Sequence, residues 1–566
     1  MGTKVTSKLT VADYFAHFIA EKEVPAVFEL SGGMIAFLTD SIFRLGKTKI
    51  INTRHEQAAG FAAEAATRIS GIPNVAMGTS GPGATNLITA IGSAYFDSTP
   101  TIFVTGQVHT QEIRSNPLQR QNGFQELDII SATKSITKYA TQIVEPDSFP
   151  AILSEVWQIA ISGRPGPVLI DIPIDIQQKY CDLPDASKTL RTPKVVSEQF
   201  KFETFFNLLS KSNSPLILAG GGIRSSGTVT EILDLIERTQ IPVVHTLMGK
   251  DVLPTSHALN LGFIGSYGNR WANRALSRAD LLIVLGSRLD VRQTGSDLQD
   301  FTKDKYIVRV DVDQYELEGR VSADLNFSMD LKDFFAILLK IDLPRIDSLE
   351  TLKRVYSERS IYTSESEQAV LLPLSPDTCI KWISQISKGV TGFCVDVGQH
   401  QMWAAQSIDI EHGQRFLTSG GMGAMGFAVP AAIGAATASN NRWFTITGDG
   451  CLQLSTSELQ TIAHYKLPIV IFVLNNHQHG MVAQFQEENM EGRYVSTRIG
   501  YSTPDFCSIG EAYGIRTIKV TTESDFQSVE DFLTNFPNNP LIVEIIIDNQ
   551  AKALPKIDRF TKLSSL

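Results

Sequence analysis

The chain has 566 residues, of which 43% are hydrophobic and 19% charged, and this length predicts about three domains rather than one core. Its net charge of −10 argues against a nucleic-acid or anionic-membrane surface, which would need a basic face. No apolar run has the length of a membrane span, no signal-peptide pattern opens the chain, and five scattered cysteines indicate free thiols in a reducing, cytoplasmic compartment.

Residues 1–185 alternate strand-like and helix-like segments, which is typical of a doubly wound parallel sheet. The predicted strands are residues 24–30, 49–52, 74–77, 102–105 and 168–172. The second strand leads into Glu56, which precedes a predicted helix at residues 57–70. Glu56 therefore lies at a strand-to-helix junction, where ligands bind in open α/β sheets. The alternative is that Glu56 only complements the helix macrodipole.

Two polar loops belong to the same block. Residues 79–86 are Gly-rich and either line a cofactor pocket or simply turn the chain. Residues 106–123 form a long irregular segment, and loops of this length inside a compact domain are usually functional or mobile. The segment ends at Phe124 and Gln125, a pair that suits a substrate pocket, although Phe124 can equally anchor the loop to the core.

A second α/β block covers residues 198–345, with predicted strands at residues 215–218, 243–246, 281–285 and 306–311. Three glycines at residues 220–222 follow its first strand, Arg288 and Arg292 follow the third, and Asp311 ends the fourth. Backbone and arginine on a diphosphate, with an acid on a ribose, would suit a dinucleotide. The glycines do not form a Gly-x-Gly-x-x-Gly fingerprint, which disfavours an ordinary NAD site.

Two connections separate the blocks: a polar one at residues 183–197 and a charged one at residues 350–367, predicted as a long surface segment. The third block, residues 370–566, has predicted helices at residues 429–436 and 457–464 and predicted strands at residues 392–397, 443–446, 469–474, 516–520 and 541–547. Several glycines and two methionines at residues 419–427 permit close backbone approach to a flat ligand.

Gly448-Asp449-Gly450 and Asn475-Asn476 end two successive predicted strands of the third block. The glycines let the backbone approach a ligand, and the carboxylate and amide oxygens suit Mg²⁺ bound to a phosphorylated ligand. The alternative is two unrelated turns, because both dipeptide types are common in loops.

Five motifs in this order resemble the acetolactate synthase (acetohydroxyacid synthase) catalytic-subunit family of thiamine diphosphate (ThDP) enzymes. They are Arg-His-Glu-Gln-Ala-Ala at residues 54–59, Thr-Ser-Gly-Pro-Gly-Ala-Thr-Asn at 79–86, Ser-Gly-Arg-Pro-Gly-Pro-Val-Leu at 162–169, Gly-Gln-His-Gln-Met-Trp-Ala-Ala-Gln at 398–406 and Gly-Gly-Met-Gly-Ala-Met-Gly-Phe at 420–427. The resemblance implies three doubly wound α/β domains: pyrimidine-binding (1–185), central flavin-type (198–345) and diphosphate-binding (370–566).

The resemblance also implies site residues. Glu56 matches the glutamate that hydrogen-bonds the aminopyrimidine of ThDP, and Phe124 and Gln125 match the pair that shapes the reaction pocket. Implied contacts to the cofactor are Gln399, His400, Gly423, Met425, which bends the cofactor, Gly448, Asp449, Gly450 and Asn476. Implied Mg²⁺ ligands are Asp449, Asn476 and the backbone carbonyl of Gln478.

Most large members of the family also bind a non-redox FAD in the central domain. The positions that match its binding residues are Arg164, Gly220, Gly221, Gly222, Thr246, Leu247, Arg288, Asp290, Arg292, Asp311 and Asp324. Two departures weaken this match: Phe263-Ile264 stands where the family has Met-His, and Val291 stands where it has an acid. We nevertheless expect bound FAD.

The implied reaction decarboxylates pyruvate and joins the remaining two-carbon unit to a ketone, which is a second pyruvate when the product is 2-acetolactate. Departures at the acceptor side are Leu30-Ser31, the long loop before Phe124, Ile174 for a lysine and Phe485 for a tryptophan; Arg292 is kept for the acceptor carboxylate. They resemble a side branch that acts on CDP-4-keto-3,6-dideoxyhexose in yersiniose-type sugar synthesis. A FAD-linked pyruvate oxidase and a non-enzymatic scaffold are further alternatives, and the family implies a homodimer or homotetramer.

Overall fold

The computed structural model describes residues 8–182, 199–368 and 374–557, and three six-stranded sheets with helices on both faces dominate it. All neighbouring strands within each six-stranded sheet are parallel. The three-domain α/β prediction is therefore confirmed. The predicted linker at residues 183–197 lies outside the described residues, and the domain boundaries remain predictions.

The N-terminal sheet has the strand order β3-β2-β4-β5-β7-β6, and β1 pairs with β8 in a separate antiparallel ribbon. The strands of this sheet and of the ribbon are β1 (Leu9–Thr10), β2 (Ala26–Glu29), β3 (Lys49–Asn52), β4 (Val75–Gly78), β5 (Ile102–Gln107), β6 (Tyr139–Gln142), β7 (Val168–Pro173) and β8 (Tyr180–Cys181). The α-helices are Val11–Glu21, Ala36–Leu45, Glu56–Ser70, Pro82–Asn86, Ile88–Phe96, Ile129–Thr133, Phe149–Ile161 and Ile174–Gln177.

The central sheet has the order β11-β10-β9-β12-β13-β14. Its strands are β9 (Pro215–Ala219), β10 (Val243–His245), β11 (Asn260–Phe263), β12 (Leu281–Leu285), β13 (Tyr306–Asp311) and β14 (Leu325–Ser328). Its α-helices are Gln199–Lys211, Gly222–Ser225, Val229–Thr239, Arg270–Arg278, Val291–Thr294, Leu298–Thr302, Gln314–Leu317, Leu331–Leu338 and Leu349–Gln368.

The C-terminal sheet has the order β16-β15-β17-β18-β20-β19. Its strands are β15 (Gly392–Val395), β16 (Arg415–Leu417), β17 (Trp443–Gly448), β18 (Ile469–Asn475), β19 (Arg516–Val520) and β20 (Leu541–Ile546). Its α-helices are Pro376–Gln385, Gln399–Ser407, Ala428–Ser439, Asp449–Gln453, Leu459–Tyr465, Gly480–Asn489, Phe506–Ala512 and Phe526–Asn535. Within the described residues, no helix combines the length and the apolar character needed to cross a bilayer.

Two Ala-rich helices join the N-terminal and C-terminal domains of the chain. The Glu56 helix (Glu56–Ser70) packs along the Ala428 helix (Ala428–Ser439), and both contribute to one apolar core. A Cβ at Gly434 would collide with the Ala62 carbonyl oxygen, so the small residues of both helices allow their backbones to approach. The rings of Phe61 and Phe427 close the contact edge-on at 5.3 Å. This contact fixes the relative position of the two domains.

The segment predicted as a surface connection at residues 350–367 is instead part of the helix Leu349–Gln368. Its charges are spaced for pairing along and between helices: Arg354 pairs with Glu350 at 3.3 Å, and Glu358 pairs with Arg278 at 2.7 Å. Polar composition alone therefore misidentified a helix whose partners lie on the helix Arg270–Arg278. The short strands β6, β11, β14 and β16 were also missed, since none has a long apolar run.

Candidate active site

Glu56 stands at the first position of its helix, directly after the edge strand β3. Its side chain is 5% exposed, and Asn86 Nδ2 donates to Glu56 Oε2 at 2.9 Å. A Cβ at Gly83 would lie 3.2 Å from Glu56 Oε1 and 2.8 Å from Thr79 Cγ2, so the glycine leaves room beside the carboxylate. The structure thus brings together Glu56 and the polar loop at residues 79–86.

Asp449 and Asn476 lie at the carboxyl edge of the C-terminal sheet, because β17 and β18 are neighbouring parallel strands. Asp449 is buried, and its Oδ2 atom has no hydrogen-bond partner among the described residues. Burial raises the pKa of Asp449 to about 6, although hydrogen bonds from Gly450 N–H and the Tyr501 hydroxyl oppose the rise. An unpartnered buried carboxylate is costly alone and favourable beside a cation.

Asn476 and its neighbours complete a donor set of oxygens. Asn476 Nδ2 donates to Gln399 Oε1 at 3.1 Å, which leaves the Asn476 Oδ1 atom for a cation. The Gln478 side chain is held by Arg498 and by the Asn549 carbonyl oxygen, so only its backbone carbonyl remains for a metal. One carboxylate, one amide oxygen and one carbonyl fit Mg²⁺, which takes its remaining ligands from phosphate and water.

His400 supplies a second buried polar atom without a partner. Its Nε2 atom makes no hydrogen bond among the described residues, and burial lowers the pKa of the imidazole to about 3. A Cβ at Gly398 or at Gly448 would lie 2.6 or 2.9 Å from His400 Cε1, so both glycines are needed for the ring to fit. A neutral imidazole at this edge suits a hydrogen bond to a phosphate oxygen.

Two carboxylates that sequence reasoning missed, the buried Asp396 and the half-buried Asp97, hold the loop at residues 419–427. Asp396 accepts hydrogen bonds from the N–H groups of Gly426 at 2.9 Å and Ala428 at 3.1 Å. Asp97, from the N-terminal domain, accepts from Gly420 at 2.9 Å and from the next residue at 2.7 Å. The only sequence pattern that could have indicated Asp396 and Asp97 is an acidic residue just past the end of a strand or a helix. The loop presents Gly423 with φ +65° and Met425 half-buried.

Phe124 and Gln125 lie in the N-terminal domain, next to the polar loop at residues 79–86 that contacts Glu56. Phe124 is 81% exposed, and Gln125 has a positive φ of 68° and contacts the backbone of Gly81. Glu126 organises the long loop before them, because it accepts from the N–H groups of Arg114 at 3.0 Å and Asn122 at 2.6 Å. The exposed Phe124 ring is free to contact a partner or substrate.

The residues predicted at the acceptor side lie in three different domains. Ile174 starts a short N-terminal-domain helix and is half-buried, whereas Phe485 lies on the helix Gly480–Asn489 and is 51% exposed. Arg292 lies in the central domain. Among the described residues, no hydrogen bond within the chain joins them.

A cavity of about 310 Å³ opens between the central domain and its two neighbours. Of the positions predicted for FAD, those that line it are Arg164, Gly221, Gly222, Thr246, Leu247, Arg288, Asp290, Arg292 and Asp311. Gly220 instead packs against Gly286, and Asp324 accepts from the Ile307 N–H at 2.8 Å, at the opposite end of β13 from Asp311. Phe263 and Ile264, the two departures, also line the cavity.

Glu56 and Asp449 contact different sets of residues within one chain. Glu56 contacts Asn86 and Gly83, whereas Asp449 contacts the residues around Tyr501 and Gln478. Among the described residues, no hydrogen bond links the two sets.

Comparison with known families matches all three sheets. The profile "Thiamine pyrophosphate enzyme, N-terminal TPP binding domain" matches residues 9–132, the "central domain" profile residues 202–338, and the "C-terminal TPP binding domain" profile residues 396–545. Together they cover Glu56, Asp449 and most of the residues that line the cavity between the domains.

Whole-length relatives agree with the profiles. The chain is 37% identical to the acetolactate synthase large subunit of Lactococcus lactis, over 95% of this chain and 92% of that protein. It is 35% identical to the probable acetolactate synthase large subunit of Methanocaldococcus jannaschii, over 96% and 92%. It is also 35% identical to the Corynebacterium glutamicum large subunit, over 97% and 88%. Similarity at this level spans all three domains.

Proposed function

The chain belongs to the acetolactate synthase family of thiamine diphosphate enzymes, and we propose that it converts two molecules of pyruvate into 2-acetolactate and CO₂. One observation carries the proposal: among the described residues, the buried Asp449 Oδ2 and His400 Nε2 atoms have no hydrogen-bond partner, and both lie in the segment that the "C-terminal TPP binding domain" profile matches. When bound, ThDP supplies the electron sink for decarboxylation of a 2-keto acid. The protein binds, orients and protects the reacting groups.

We propose that Asp449, Asn476 and the Gln478 carbonyl hold Mg²⁺, and that Gln399 and His400 contact the diphosphate beside Gly448 and Gly450. Burial keeps the His400 imidazole neutral, so it can hydrogen-bond a phosphate oxygen without adding charge. The loop with Gly423 and Met425 would hold the pyrimidine end, since Asp396 and Asp97 fix its backbone.

We propose that Glu56 exchanges a proton with the pyrimidine ring, and that the chain works as a homodimer or larger homo-oligomer. In this arrangement, Glu56 of one chain completes the metal site of another. Phe124 at 81%, Phe485 at 51% and Met422 at 43% exposure are apolar groups that a partner would cover. Four of the five free cysteines are buried, which fits a reducing, cytoplasmic compartment.

The acceptor is tested by product analysis with purified protein, ThDP, Mg²⁺, FAD and pyruvate. We expect 2-acetolactate as the main product, with about one CO₂ for each two pyruvates consumed, because the relatives are acetolactate synthases by name. Slow CO₂ release that rises only with a CDP-keto-deoxysugar would contradict the proposal. Pyruvate-dependent oxygen uptake would instead indicate an oxidase, and neither alternative is favoured by the relatives.

We propose that the cavity of about 310 Å³ binds FAD in a non-redox role. Arg288 lines it beside Asp290, and a guanidinium is suited to a diphosphate. We expect Arg288→Ala to weaken FAD binding about 10- to 100-fold, the equivalent of one charged hydrogen bond. Absorbance near 450 nm after FAD titration measures this.

The matched control for Arg288 is Arg320→Ala. Arg320 donates to the Thr294 hydroxyl and the Gly295 carbonyl oxygen and is not among the cavity residues, so its loss should leave FAD affinity unchanged. Equal affinity of the Arg288 variant and the control would contradict the proposed site. Bleaching of bound flavin by pyruvate without oxygen would contradict the non-redox role.

A further inference from the structure

The turn that precedes Glu56 is held by a glutamate of the C-terminal domain of the same chain. Glu458 ends a short 3-10 turn, is 1% exposed, and its Oε1 accepts from the Arg54 N–H at 2.8 Å. Its Oε2 accepts from the Thr461 hydroxyl at 2.8 Å. Both oxygens of this buried carboxylate are therefore occupied, and one of them fixes backbone two residues before Glu56. Hydrogen bonds from backbone to carboxylate are among the stronger ones in proteins.

A second contact from the same region supports the strand before the turn. The Tyr465 hydroxyl accepts from the Asn52 N–H at 2.9 Å, at the end of β3. Tyr465 ends the helix Leu459–Tyr465, which starts directly after Glu458. The β3-to-Glu56 junction is thus held at two points by one short segment of the diphosphate-binding domain.

The chain leads from the proposed metal site directly into this segment. The helix Asp449–Gln453 starts at the proposed metal ligand, and the 3-10 turn Thr456–Glu458 and the helix Leu459–Tyr465 follow in sequence. One continuous stretch of the chain therefore carries Asp449 at its start and the support of Glu56 near its end. In an oligomer with shared sites, these two residues serve different active sites.

We propose that Glu458 is a positioning residue that fixes the position of the Glu56 carboxylate of its own chain, through its hydrogen bond from the Arg54 backbone N–H. It acts on the active site to which its chain contributes Glu56, and not on the site to which its chain contributes Asp449. The inference rests on the proposed function, in which each site combines Glu56 of one chain with Asp449 of another. Small displacements of a catalytic group have large effects on rate, so support of the preceding turn matters.

The first test measures hydrogen exchange of backbone amides in the cofactor-free protein. E458A removes the acceptor of the Arg54 N–H, so we expect exchange at Arg54 to accelerate at least about tenfold. E458Q keeps an amide oxygen as acceptor and should restore the protection. Unchanged exchange at Arg54 in E458A overturns the proposal. If E458A does not fold, Y465F is the second variant, with accelerated exchange expected at Asn52 and unchanged exchange there overturning the two-point support.

The second test measures proton exchange at the thiazolium C2 position of bound ThDP, together with Mg²⁺-ThDP affinity. We expect E458A to slow this exchange about 10- to 100-fold while the affinity for Mg²⁺-ThDP stays unchanged. E458Q should return the exchange rate to near the unmodified value. A merely structural role would lower affinity and thermal stability without this selective effect, and that result overturns the proposal.

Hybrid dimers with two affinity tags decide which site Glu458 serves. A dimer that carries E458A and E56Q on one chain and neither on the other should keep one intact site, about half of full activity. A dimer with E458A on one chain and E56Q on the other should have both sites impaired. The reverse pattern would mean that Glu458 acts on the metal site of its own chain, which overturns the proposal. Full activity of the E56Q homodimer would overturn the proposed function instead, and the Arg54 exchange measurement still decides the inference.

Discussion

Replacing Glu56 by Gln is expected to lower the rate of 2-acetolactate formation about 10²- to 10⁴-fold, the usual range for loss of a general acid–base group. Gln keeps the shape of the side chain and the hydrogen bond from Asn86, which now spans 2.9 Å, but it cannot exchange a proton with a pyrimidine nitrogen. The measurement is steady-state kinetics with proton exchange at the thiazolium C2 position. Mg²⁺-ThDP affinity should change little, because the proposed metal ligands lie elsewhere.

Glu64 on the same helix provides the matched control. Burial raises the pKa of the Glu64 carboxyl, even though Arg68 lies 3.4 Å away, and Gln would keep the shape of the side chain and an oxygen acceptor for Arg68. Glu64→Gln should therefore leave both the rate and the exchange at C2 close to their original values. Equal loss in the two variants would show that the Glu56 effect is structural, and unchanged activity of Glu56→Gln would contradict its proposed role.

Replacing Asp449 by Asn is expected to weaken Mg²⁺-dependent ThDP binding by about 100-fold or more, since even groups that only support a metal ligand are worth 10- to 100-fold. The cofactor-free variant should be no less stable than the original protein, because the substitution removes a buried carboxylate oxygen that has no hydrogen-bond partner in the part of the chain that the structure describes. Thermal unfolding with and without Mg²⁺ and ThDP measures both effects. The large upward shift of Tm on cofactor addition should disappear in the variant.

Asp505→Asn is the control for this experiment. Asp505 caps the helix Phe506–Ala512 through the Ser508 N–H at 2.6 Å, and Asn is an equally good capping residue. Its variant should keep the full Tm shift on cofactor addition. Retention of that shift by Asp449→Asn would show that the carboxylate does not bind the metal. Loss of stability of the cofactor-free Asp449 variant would show that the site is structural rather than held ready for a cation.

Local sequence patterns were sufficient to predict the strands and the helix that carry Glu56, Asp449 and Asn476. Residues 443–448 are mainly apolar with two threonines, and residues 469–474 are continuously apolar, as is typical of buried parallel strands. The register of these two strands places Asp449 and Asn476 at one edge. The junction before Glu56 was predicted in the same way, within one residue of the observed helix start. Local rules failed for the helix Leu349–Gln368, whose charged residues are paired with a neighbouring helix.

The sequence by itself determined the fold class and the family, and it predicted the residue types of the cofactor site, because strand periodicity, glycines at strand ends and ordered motifs are local properties of the chain. Only the tertiary structure showed that Asp396, Asp97 and Glu458 support this site. Each is a carboxylate, buried in Asp396 and Glu458 and half-buried in Asp97, that accepts backbone N–H groups from residues distant in sequence, and such a partner has no local pattern. The tertiary structure also set the relative position of the domains that carry Glu56 and Asp449, through the packing of the two Ala-rich helices.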